Sequence, residues 1–157
     1  MLYDDCYIPF ISRELSSLTQ QAKTNAPTVK NGIDRNFENQ INSHSLLPGE
    51  NIEYRFDDYV CIHEIRIIFD STLERDYDNM PCNFPLYQSK YQVPESLVKD
   101  YKIVGETPDG EVTLAENHCN RQRYVLHKTN ALVKSIRLIA FETYGAERCN
   151  VFALDVK

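Results

Sequence analysis

From Asn51 onward, apolar and polar positions alternate along the chain. Ile52, Tyr54 and Phe56 fall on one side, Glu53 and Arg55 on the other, the pattern of a half-buried strand. Asp57-Asp58 reads as a turn, and a second strand sets Ile65, Ile67 and Phe69 against Glu64 and Arg66. Tyr101 and Ile103 mark a third, and Pro108-Asp109-Gly110 turns the chain into Val112 and Leu114. Residues Arg121 to His127 alternate again. Ile136, Leu138 and Ala140 oppose Arg137, and Phe152, Leu154 and Val156 alternate with Asp155 at the end of the sequence. Two stretches, Val60 to Ile67 and Leu132 to Leu138, are alike enough to predict strands in similar roles. Such strands are too short and one-sided to stand alone, so their apolar faces must meet across a shared interior. The prediction is an all-β, antiparallel two-sheet sandwich.

The first third of the chain lacks this period. Ser12 to Ala22 holds good helix formers with Ser12 placed as an N-cap, predicting one short helix. Thr24 to Leu47 is rich in Asn, Ser and Thr, with a turn signal at Asn31-Gly32, and predicts irregular loop. Residues 1–23 therefore read as a linker and short helix from a preceding domain, and 24–157 as the sandwich. Ser71 to Ser96 carries Pro81, Pro85 and Pro94 without periodicity; a connection this long is usually functional or a packing arm.

Composition narrows the partners. With 17 basic against 23 acidic residues the formal charge is −6, and no Lys/Arg stripe exists to attract a phosphate backbone, so nucleic acid is not expected. No apolar run approaches the roughly 20 residues of a spanning helix, and Met1 to Asp5 lacks the features of a signal peptide, so no membrane partner is expected either. Cys6, Cys61, Cys82, Cys119 and Cys149 are odd in number and show no paired spacing. That pattern favours reduced thiols and a cytoplasmic setting, with a secreted parent also open, over a disulfide framework or a zinc site.

Catalytic signatures are sparse. Neither GxGxxG nor GxxxxGK[ST] occurs, so the chain has no dinucleotide cradle of its own. His118 adjoins Cys119, but neighbours on a strand point to opposite faces, and the pair reads as ordinary loop. Asp4-Asp5 and Asp57-Asp58 read as solvated linker and turn.

The order of several stretches nevertheless resembles a known family. These are Asn31-Gly32-Ile33-Asp34-Arg35, then Ile52 to Phe56, then Ile65 to Arg75, then Pro94 to Tyr101, then Asn120 to Arg123, and finally Ile136-Arg137-Leu138. Together they resemble the discoidin-like, or galactose-binding-like, jelly-roll domains. More narrowly they resemble the C-terminal domain of a group of bacterial FAD-dependent oxidoreductases. That resemblance implies a non-catalytic accessory module packed on an upstream flavin domain, with FAD held by the parent and not by this segment. The alternative is a carbohydrate-binding module with a glycan partner; a stand-alone hydrolase is more remote. Relatives carry two Trp residues at places held here by Ile41 and Val112, which are expected to fill the same core sites, while any sugar-stacking role is lost.

For such a sandwich the ligand is expected where loops converge at one end. The candidates are Arg35, Asp70, Arg75, His118, Asn120 and Arg123, with His44 and Arg121 beside them; Arg and Asn suit hydroxyls and carboxylates because their donors and acceptors are planar. The competing expectation is internal: Asp70 and Arg75 bracketing one loop and Arg123 paired to a carboxylate. The family also implies a structural calcium, for which Asn31, Asp34 and Asp155 are the oxygen donors in place. The competing expectation is that Asn31-Gly32 is a turn that Asp34 caps while pairing with Arg35.

Overall fold

Two long strands carry most of the architecture of the computed structural model, which describes residues 13–36, 39–72 and 93–157. β3 (Asn51–Phe69) and β6 (Tyr124–Thr143) pair antiparallel along nearly their whole lengths. The turn expected at Asp57-Asp58 is instead a bulged stretch of continuous strand, with register shifts between Arg55 and Val60 and between Ile62 and Glu64. Bulges add residues without ending the ladder, and they bend and twist the strand. They also change parity. Ile52, Tyr54, Phe56 and Ile62 are buried at even positions, and after the second shift Ile65, Ile67 and Phe69 are buried at odd ones. The separate strands expected over 121–127 and 133–141 likewise merge into β6. The two look-alike stretches lie side by side, Val60 opposite Val133 and Cys61 opposite Leu132.

Because β3 and β6 bend together, each half serves a different layer. β4 (Val98–Thr107) pairs with the second half of β6, and β5 (Gly110–Asn117) adds outside β4 after a turn at Gly110, whose φ of +119° suits glycine. β1 (Lys23–Thr24) joins the first half of β3 at Tyr54 and Arg55. In the other layer, β7 (Cys149–Val156) pairs with the second half of β3 on one side and with β2 (His44–Leu46) on the other. Contacts across the gap show the two layers facing. The Tyr54 hydroxyl donates to Leu154 O at 2.6 Å, and the Phe69 and Tyr101 ring centroids lie 5.0 Å apart. The interior between them is apolar: Ile52, Ile62, Ile65, Ile67, Ile103, Ile136 and Leu138 are fully buried, each worth about 1.5–3 kcal/mol relative to exposure. The expected all-β sandwich is the observed one.

Three apolar positions depart from expectation. A bulge between Ile68 and Phe69 shifts β7, so Val151, Leu154 and Val156 face the main core while Phe152 packs with Ile68 and Ala153 on the outer face. Ile41 and Val112 do not fill core sites: Ile41 is 77% exposed and Val112 40%, the latter on an edge strand.

The N-terminal segment covers the edge of β7 beyond the stretch that pairs with β2. α1 (Ser17–Gln21) is capped by Ser16, whose Oγ accepts from Thr19 N at 3.0 Å; the N-cap expected at Ser12 lies outside the described residues. Thr19 Oγ1 then accepts from Val156 N at 2.9 Å, and Ser16 Oγ donates to Val156 O. These side chains stand where another strand would otherwise satisfy the edge. Val29, on the 3₁₀ turn Pro27–Lys30, is fully buried against the core.

A part-buried polar pair also bridges the two layers. The Tyr101 hydroxyl and His127 Nε2 are 2.9 Å apart, joining β4 to the first half of β6 across the interior. Burial raises the Tyr101 hydroxyl to about 12 and holds His127 below the usual imidazole value. Burial lowers His44 as well, aided by Arg148 and opposed by Glu50. A lowered histidine means the unfolded chain takes the proton first. Stability is therefore complete above the unfolded value of about 6.5 and falls as pH drops below it. Urea midpoints at pH about 7.5 and about 5.5 should differ in that sense, and His127→Gln should shrink the difference.

Candidate functional site

Four described segments meet at one end of the sandwich. Phe69 N donates to Arg123 O at 2.9 Å and Asp70 N to Asn150 O at 3.0 Å, bringing the exit of β3 to the starts of β6 and β7. Tyr144 N donates to Leu97 O at 3.2 Å and Asn120 N to Lys99 O at 2.9 Å, adding the approach to β4 and the β5–β6 loop. Thr72 Oγ1 lies 2.6 Å from Ser96 Oγ, so the two ends of the long β3–β4 connection also meet here.

The expected ligand residues divide sharply within this end. Asn120 is buried and spent on the loop itself: its Nδ2 donates to Val98 O at 2.8 Å and Gln122 O at 3.0 Å, and its Oδ1 accepts from Gln122 N at 3.0 Å. Arg123 is a strut. Its Nη2 donates to the Asp34 carbonyl, its Nη1 reaches Ser71 Oγ at 3.2 Å and Asp70 Oδ1 at 4.0 Å, and its guanidinium lies 4.9 Å from the Phe152 ring centroid. Asp70 Oδ1 accepts from Thr72 N at 2.9 Å, turning the chain out of β3. Arg35 is half-buried, with Nε lacking a hydrogen-bond partner among the described residues. Arg75 lies outside the described residues. His44 is half-buried in β2.

What remains open to solvent is a cluster that spacing did not reveal. His118 Nδ1 lies 3.2 Å from Asp100 Oδ1, and Lys99 Nζ donates to Glu142 Oε2 at 2.9 Å. Cys119 Sγ lies 3.6 Å from the Tyr144 hydroxyl, and the exposed Arg121 lies near enough to interact electrostatically with both. The Tyr144 hydrogen bond, with Arg121 and Lys99 adding positive charge, holds the Cys119 thiol below its ordinary range. His118 and Cys119 thus face different partners and form no nucleophile–base pair. Of these residues, His118, Arg121 and Cys119 were legible as polar loop. Lys99, Asp100, Glu142 and Tyr144 were not, because they approach only when β4 pairs with the end of β6.

The three expected calcium donors are not brought together as a set. Asn31 serves its own turn, its Oδ1 accepting from Ile33 N at 2.8 Å and its Nδ2 donating to Asn42 Oδ1 at 2.9 Å. Gly32 completes that turn at φ +79°. Asp34 and Asp155 do converge, but around arginines: both are bound by Arg13 and Arg66, and Asp34 does not pair with Arg35. Burial pushes the Asp34 carboxyl up, with Arg13 and Arg66 opposing. Among the described residues no group of three or more His, Cys, Asp or Glu side chains is arranged to hold a metal ion.

No helix among the described residues is long and apolar enough to cross a membrane. No family model matches the sequence. No curated protein matches it by sequence either. Solved structures do resemble it. The family 32 carbohydrate-binding module of Streptococcus pneumoniae EndoD superposes with a TM-score of 0.60 at 9% identity, covering 86% of this chain and 92% of that one. Chitosan-binding module 1 of a chitosanase/glucanase from Paenibacillus sp. IK-5 gives 0.58 at 8% identity, covering 90% and 98%. The family 32 module of AlyQ, solved in complex with 4,5-unsaturated mannuronic acid, gives 0.56 at 7% identity, covering 94% and 98%. An accessory role on a flavin domain draws no support from these likenesses. What the chain shares with them is its fold, the galactose-binding-like jelly-roll sandwich.

Proposed function

We propose that this chain is a carbohydrate-binding module that takes its glycan at the loop end, on a cluster of exposed His118 and Arg121 with half-buried Asp100 and Tyr144. One observation carries the reading. Lys99 and His118 each have a carboxylate partner, whereas Arg121 interacts electrostatically with Cys119 and Tyr144 and with no carboxylate at salt-bridge distance among the described residues. Arg121 therefore holds a planar fork of donors beside an aromatic ring with no carboxylate on it among the described residues. Such a fork suits a sugar carboxylate, or vicinal hydroxyls in its absence. Tyr144 offers the ring edge and hydroxyl that a chain without Trp can still present. The resemblance to glycan-binding modules supports the same reading, though fold alone assigns no ligand.

Titration calorimetry against a panel of neutral and carboxylated oligosaccharides tests it. Saturable binding is expected, stronger for the carboxylated members. Arg121→Ala should weaken it about tenfold or more, since a hydrogen bond to a charged group contributes about 1.5–3 kcal/mol. Arg121→Lys should restore only part, because the fork is lost. If neither class binds saturably, the reading is wrong.

A further inference from the structure

We infer that Arg13, backed by Arg66, serves in this chain as a built-in counter-cation that holds the first loop to the last strand without calcium. Arg13 spans both acids: its Nη1 pairs with Asp34 Oδ1, while its Nε and Nη2 reach Asp155 Oδ2 and Oδ1 at 2.8 and 3.0 Å. Arg66, from β3, adds Nε to Asp155 Oδ2 at 3.1 Å and brings Nη2 to 3.7 Å from Asp34 Oδ2. The Arg13, Asp34 and Asp155 side chains are 6%, 0% and 7% exposed.

The oxygens a hard cation would need are mostly engaged. Asp34 Oδ1 and both carboxylate oxygens of Asp155 face guanidinium N–H groups, the Asp34 carbonyl accepts from Arg123, and Asn31 Oδ1 accepts from Ile33 N. Asp34 Oδ2 alone lacks a hydrogen bond, whereas calcium takes six to eight oxygens. Charge gives the same answer. Two carboxylates and two guanidinium groups already sum to zero, so a bound divalent ion would leave uncompensated positive charge in a poorly solvated site. A pocket lined by Glu14, Ser16, Glu64, Arg66, Asp155 and Lys157 opens onto the Asp155 side of the cluster, while Asp34 lies fully buried and outside that lining. The inference does not depend on whether a glycan binds.

The test is the thermal midpoint of the full chain in about 1 mM calcium and in EDTA, a concentration that would occupy even a weak extracellular-type site. The two midpoints are expected to agree within about 1 °C, while Arg13→Ala lowers the midpoint by about 10 °C in both buffers. Should Arg13→Ala fail to fold, Arg13→Lys, which keeps a charge but not the fork, carries the comparison with a smaller loss. A saturable rise of several degrees with calcium in the unsubstituted chain overturns the inference. So does an Arg13→Lys or Arg13→Ala midpoint equal to that of the parent.

Discussion

Asp155→Ala is expected to cost about 3–5 kcal/mol of unfolding free energy, the range for removing one partner from a buried ion pair. Asp155 is the hub of the cluster: it receives two hydrogen bonds from Arg13 and one from Arg66 while almost wholly enclosed. Without it, two guanidinium groups keep only Asp34, and the surplus positive charge sits between β3, β7 and the N-terminal segment. Much of the loss is thus the cost of the charge left behind rather than the worth of the pair. Urea unfolding should show a lower midpoint with an unchanged slope, and moderate salt should recover little, because enclosed charges are weakly screened. An exposed pair gives the contrast: Asp57→Ala, which removes the partner of Lys23 where both side chains are mostly exposed, should stay within about 1 kcal/mol. Equal losses for the two variants would mean that the Asp155 cluster is solvated.

Phe69→Ala is expected to cost about 3–5 kcal/mol by a different route, lost transfer free energy plus an unfilled cavity. The ring is fully buried against Tyr101 and lies at the bulge where β3 shifts its register on β7, so neighbouring strands cannot easily close over the gap. Phe69 also immediately precedes Asp70, whose backbone N–H ties the loop end to Asn150. The cavity should therefore loosen the proposed glycan surface as well. Phe141→Ala, at a side chain 42% exposed, should change stability by no more than about 0.5 kcal/mol. Chemical denaturation of both variants checks the pair, and comparable losses would place Phe69 outside the core.

Local side-chain periodicity determined the class of fold. Alternation through Ile52, Tyr54 and Phe56 and again through Ile65, Ile67 and Phe69 was enough to require an apolar layer on each side of a common interior. It could not show that Asp57 and Asp58 lie on a continuing strand, because a bulge and a turn have the same polar signature over two or three residues. Nor could it place Phe152 on the outer face, since one extra residue reverses every later side chain.

At the site, the sequence by itself determined which residues were polar and loop-borne, and so put Arg121, His118, Asp70 and Arg123 at the ends of strands. Tertiary structure alone decided their roles. Asn120 and Arg123 became internal supports because the backbone carbonyls of Val98 and Asp34 came within their reach. The family resemblance marked Asp34 and Asp155 as distant oxygen donors, but the cations that meet them, Arg13 and Arg66, lie in the segment expected to be a short helix and on the polar face of a strand. Periodicity reports whether a side chain leaves its own strand toward apolar or polar surroundings. It carries no information about which remote segment then covers that face, and the pairing of buried charges is settled only by that covering.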